Sequence, residues 1–152
     1  MFDIRNADLI ESELEKYGSY ASVTRGVSMR PLFKTDRDMV IIEKPKGELR
    51  PYDVALYRTR SGQYTLHRVI RVEDNEYIIR GDNTYRLEHI AKDRIIGVLT
   101  EFNRKGKHYT VNDKVYIIYS RFWNFIYPIR YLARIPLRIL FRIYRRLFKK
   151  NK

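Results

Sequence analysis

YTLHRVIRV, residues 64–72, passes through EDN into EYIIR, residues 76–80, and stops at Gly81-Asp82-Asn83. Both runs are rich in Val, Ile and Tyr and follow a period of two, which is the signature of β-strands. Asp74-Asn75 between them is a turn, so the stretch predicts a strand, a tight turn and a second strand. The same texture extends in both directions. Met39–Glu43, Tyr52–Thr59, Arg94–Phe102 and Lys107–Val111 also read as strands, separated by Pro45, Gly47, Pro51, Ser61-Gly62 and Lys105-Gly106. Only the leading segment, residues 5–17, has helical spacing, with Ala7, Ile10, Leu14 and Tyr17 three or four apart and Gly18 placed to end the helix. The expected fold is mainly β: a small antiparallel β domain with a short N-terminal helix.

Length and charge set the next limits. The chain has 152 residues, 31 Lys plus Arg against 18 Asp plus Glu, and no Cys, giving a formal charge of +13. That is room for one ordinary domain with an appendage, and it leaves no disulfide framework, thiolate zinc site or cysteine nucleophile. No His-x-x-x-His, acidic calcium loop or Gly-rich phosphate loop occurs, so neither a metal nor a cofactor is expected. Residues 120–152 carry ten bases and no acid, leaving 21 bases against 18 acids in residues 1–119. The charge step places a boundary near Tyr119, with a globular domain over 1–119 and a basic tail over 120–152.

The tail has helical periodicity. Ile126, Ile129, Leu132, Ile139, Leu140 and Ile143 make one face, Arg130, Arg134, Arg138 and Arg142 step every four residues along another, and Pro128 and Pro136 kink or restart the helix. An amphipathic C-terminal helix of this kind suits the plane of an anionic membrane, with Trp123 at headgroup level. Packing on the body or on a second copy is the alternative. Nucleic acid ranks lower as a partner, because a solvated basic arm needs no apolar stripe. No window is long and apolar enough to span a bilayer, and the mixed charge of the first residues is unlike a secretory signal. The expectation is peripheral attachment at the cytoplasmic face.

Chemistry enters through three segments: Gly26-Val27-Ser28-Met29-Arg30-Pro31, Leu66-His67-Arg68-Val69 and Arg80-Gly81-Asp82-Asn83-Thr84. They supply a serine, an imidazole and a carboxylate. A serine hydroxyl becomes a useful nucleophile when a base takes its proton, and an imidazole becomes a better base when a carboxylate fixes its tautomer. His89 and His108 read as ordinary surface or packed histidines.

GVSMRPLF around Ser28 resembles the Ser-Met-x-Pro nucleophile segment of type I signal peptidases and of LexA-like self-cleaving proteins. HRVIRV and RGDN resemble the His and Gly-Asp-Asn segments of the endoplasmic-reticulum and archaeal signal-peptidase branch, in which His replaces a Lys base. Asp53–Tyr57 resembles the family's Asp-x-Val strand, and Ile95-Ile96-Gly97-Val98 its closing Ile-Gly strand. The likeness covers about residues 20–102 and implies a β domain of the signal-peptidase and LexA-like type.

The resemblance implies that Ser28 is the nucleophile and His67 the general base, a role suited to an imidazole whose ordinary pKa is about 6.5. Asp82 is the first candidate to orient the ring. The branch also carries an acid five or six residues further on, where this chain has Leu87 and Glu88, so the third member stays open between Asp82 and Glu88. Gly26 stands where the family often has a serine that helps to bind the oxyanion, and the usual N-terminal membrane anchor is missing from the sequence. The implied activity is serine endopeptidase cleavage of a leader or precursor peptide at a membrane surface. The rival is a non-catalytic binding or regulatory module that keeps the fold, although too few residues precede the core for a helix-turn-helix domain.

Overall fold

The computed structural model describes residues 7–134. The helix α1 (Ala7–Tyr17) comes first and is followed by β1 (Ser19–Val23), β2 (Met39–Glu43), β3 (Val54–Arg58), β4 (Tyr64–Val72), β5 (Glu76–Arg80) and β6 (Glu88–Ala91). A single 3-10 turn, Lys92–Arg94, leads into β7 (Ile95–Arg104), β8 (Lys107–Thr110) and the helix α2 (Lys114–Phe125). The described chain is therefore mainly β, with a short helix at its start and another helix after the strands. Gly18 closes α1, its N–H donating to the Leu14 carbonyl at 3.0 Å.

All strand pairings are antiparallel, in the order β1-β2-β7-β3-β4-β5-β6 with β8 added beside β7. Ten residues let β7 serve several neighbours: it pairs with β2 along one edge and with β3 and then β8 along the other. Alternation along β3 divides the interior. Val54 and Leu56 enter a larger core with Ile10, Leu14, Val40, Ile42, Leu99 and Phe102. Ala55 and Tyr57 enter a smaller one with Val69, Tyr77, Ile79 and Ile90. Each fully buried aliphatic side chain contributes about 1.5–3 kcal/mol, so the two cores hold both faces of β3.

The strands read from the sequence are present, but β1 and β6 are additional to them. Both are short edge strands of five and four residues. Too few alternations fit into such lengths for the period to show. The boundary expected near Tyr119 falls inside α2, whose buried residues Tyr116 and Ser120 lie on either side of it. The helix turns at Ile126 and the chain is helical again over residues 127–134, which matches a restart at Pro128. Pro136, Arg138 and Arg142 lie outside the described residues.

Candidate active site

Cross-strand pairing assembles the site on the face of the smaller core. Residues directly opposite in an antiparallel ladder point to the same face, as do residues two apart on one strand. His67 on β4 lies opposite Ala55, and Val69, two residues on, lies opposite Ile79 of β5. Ile79 lies opposite Glu88 of β6. Tyr57 is two residues from Ala55 on β3. Tyr57, His67 and Glu88 thus share a face although 31 residues separate the first from the last.

The imidazole is buried, and one side of it is held firmly. Its Nδ1 lies 3.0 Å from Glu88 Oε1 and 3.0 Å from the Tyr57 hydroxyl, while that hydroxyl donates to Glu88 Oε2 at 2.8 Å. With the tyrosine hydrogen used on the carboxylate, the network assigns a proton to Nδ1, and Nε2 keeps its lone pair. Nε2 is buried and has no hydrogen-bond partner among the described residues. The hydrogen bond from His67, aided by that from Tyr57, holds the Glu88 carboxyl below the usual carboxylate range despite partial burial. Burial, then Glu88, pushes the Tyr57 phenol well above its ordinary value, so it remains a neutral donor.

The Gly81 turn lies against both His67 Nε2 and the backbone of Ser28, and the Ser28 hydroxyl is not hydrogen-bonded to Nε2. A methyl group placed on Gly81 would lie 2.7 Å from the Ser28 carbonyl oxygen and 3.0 Å from His67 Nε2, so only glycine lets these three segments approach this closely. Two further bonds tie the Ser28 loop to the Gly81 turn: Asn83 N–H donates to the Ser28 carbonyl at 2.7 Å, and Asn83 Nδ2 to the Val27 carbonyl at 3.2 Å. Ser28 is half-buried beside a small recess lined by Thr24, Gly26, Met29, Phe33 and Leu66. Gly26 adopts φ +80°, a region that a serine enters only with strain. The loop is therefore shaped around glycine at this position.

Asp82 does not meet His67. It follows Arg80, which lies opposite Arg68 on the other face of the β4–β5 ladder, and it joins Arg68 there. Arg68 is fully buried and binds the Asp82 carboxylate in bidentate fashion, Nε to Oδ1 and Nη2 to Oδ2, both at 2.8 Å. Its Nη1 donates to the Tyr52 carbonyl (2.9 Å), Tyr116 Oη (3.2 Å) and Ser120 Oγ (2.9 Å). Burial opposes the guanidinium charge, but Asp82 more than offsets it and the net direction is upward. Of the two candidate carboxylates, Glu88 is the one brought to the imidazole, and Asp82 neutralises a buried arginine.

Trp123 and Arg130, expected on a lipid-facing surface, instead reach the body. Trp123 Nε1–H donates to the Asp82 carbonyl at 2.9 Å and Arg130 Nη2 to the same oxygen at 2.8 Å, with the guanidinium 3.7 Å from the indole centre. An indole N–H needs an acceptor when it leaves water, and the Gly81 turn supplies one. Tyr119 adds a hydroxyl bond to Asp82 Oδ2 at 3.0 Å, its phenol pushed upward by burial and then by Asp82. Arg134 remains exposed and lies 4.5 Å from the Tyr85 ring centre. His89 and His108 are exposed and pair with Glu76 and Glu101.

Reading from the sequence missed Tyr57 and Arg68. The signal for both was the alternation on β3 and β4, once the register between them was known. Compared with models of known protein families and with curated proteins, the chain finds no match.

Proposed function

We propose that the chain is a serine endopeptidase of the signal-peptidase-like class, acting on an extended leader or precursor peptide. One observation carries this reading: a buried histidine held at Nδ1 by Glu88 and Tyr57, its Nε2 left without a partner beside the Ser28 loop. A buried acceptor without a partner has a cost that a purely structural histidine would avoid. A general base must keep that lone pair available.

In this reading Ser28 Oγ attacks the scissile carbonyl carbon while its proton passes to His67 Nε2. Glu88 stabilises the imidazolium that results. The Ser28 backbone N–H, which donates to no acceptor among the described residues, is the oxyanion donor this chain offers. The imidazolium then protonates the leaving amine as the C–N bond breaks, which leaves an acyl-Ser28 ester. Water, deprotonated by His67, hydrolyses that ester and regenerates the hydroxyl. Among the described residues β1 pairs only with β2, and it leads directly into the Ser28 loop, so its outer edge suits a substrate strand added by backbone hydrogen bonds.

The test is labelling of the full chain with an acyl-enzyme-forming serine inhibitor, followed by mapping of the modified residue. Label is expected on Ser28, with labelling slowed on the order of 10²-fold or more in His67→Ala. Undiminished labelling of a folded Ser28→Ala protein would overturn the assignment. A folded native chain that binds peptide but takes no label would favour the non-catalytic module.

A further inference from the structure

We propose that the outward face of α2 and of residues 127–134 docks on an anionic lipid surface. The inner face of this helical segment is occupied: Tyr116 and Ser120 bond to Arg68, and Trp123 and Arg130 bond to Asp82. Among the described residues, nothing covers the opposite face. Val115, Ile118, Phe122, Phe125, Ile129 and Leu132 are 57–80% exposed there. Their spacing of three, four, three, four and three residues makes one continuous stripe. A patch of this kind on a folded protein marks an interaction surface.

Charge identifies the occupant. Residues 114–152 hold eleven Lys and Arg and no Asp or Glu. Two copies packed stripe to stripe would bring like charge against like charge, whereas anionic headgroups complement it, each base adding about 1 kcal/mol near such a surface. Among the described residues no helix is long and apolar enough to cross a membrane. The helix therefore lies in the interface, its stripe down. The stripe keeps Ile129 and Leu132 of the face read from sequence, but Trp123 and Arg130 point away from the lipid.

The chain's single tryptophan makes the orientation measurable. The full chain should co-sediment with vesicles of equimolar phosphatidylglycerol and phosphatidylcholine, and far less with phosphatidylcholine alone. Salt should weaken the attachment. Phe122→Glu combined with Phe125→Glu should reduce vesicle affinity by at least about tenfold while leaving the melting temperature close to native, since both side chains are exposed. Trp123 emission should stay where it is on vesicle addition, because the indole is held against Asp82. Undiminished vesicle binding by the double variant would overturn the proposal, as would a large blue shift of Trp123. So would a native dimer that the double variant dissolves without any vesicle binding, or a preference for nucleic acid over the mixed vesicles. Ser28→Ala should bind vesicles like the native chain, so this outcome and the peptidase reading stand or fall separately.

Discussion

Glu88 and Asp82 sit six residues apart, and the chain uses them in opposite ways. Asp82 is buried, and both its oxygens are taken by Arg68, with Tyr119 added. Glu88 is half-buried and divides its oxygens between a tyrosine and a histidine whose far nitrogen is open. A carboxylate gripped at both oxygens by a buried, permanent cation holds structure. One shared with an imidazole is part of a group that can gain and lose a proton. The strand pleat separates the two roles, because adjacent residues His67 and Arg68 face opposite sides of β4.

The largest effect that would break this comparison is at the structural carboxylate. Asp82→Ala leaves the Arg68 guanidinium buried with its main counter-ion gone, and stability should fall by about 3–5 kcal/mol, as read by urea denaturation. A loss under about 1 kcal/mol, the usual worth of an exposed pair, would show that Arg68 is not the buried charge described above.

Next comes the carboxylate on the histidine. Glu88→Gln should keep the fold but slow Ser28 acylation on the order of 10²-fold. The Glu88 carboxyl is held below its unfolded value, so its contribution is present above the usual carboxylate range of about 4.3 and is lost as pH falls through the folded value. The native chain should therefore lose stability on acidification more steeply than Glu88→Gln. Equal acylation rates and superimposed pH profiles would remove Glu88 from the site.

Tyr57→Phe sharpens the picture with the smallest change. It removes one hydrogen bond and leaves the ring in place, so a stability loss of about 1 kcal/mol is expected, together with a modest, few-fold slowing of acylation. A variant inactivated as fully as Ser28→Ala would make the hydroxyl more than a positioning group.

The strands with long β-branched runs were legible without coordinates, since β2, β4 and β5 each read directly from residue type and period. The Ser28, His67 and Gly81 segments were legible as candidates because each places polar or reactive residues at the edge of a strand. The choice between Asp82 and Glu88 was not. It depends on β6, a four-residue edge strand reading Glu-His-Ile-Ala, with one buried residue and nothing to mark its register. Without β6 there is no ladder from His67 through Ile79 to Glu88, and the nearer acid in the Gly-Asp-Asn turn looks better placed. Trp123 and Arg130 were misplaced for a related reason: helical spacing separates the faces, but which side chains meet the body depends on a carbonyl at Asp82 that periodicity does not register.

Arg68 draws its acceptors from Tyr52, Asp82, Tyr116 and Ser120, points spread across nearly half of the chain. A stop after Tyr119 would strip an acceptor from a buried cation and remove both donors to the Asp82 carbonyl, and one before Arg130 would leave that carbonyl with Trp123 alone. Among the described residues, what reads as a detachable basic extension begins as a structural part of the body, joined to it through Arg68 and Asp82.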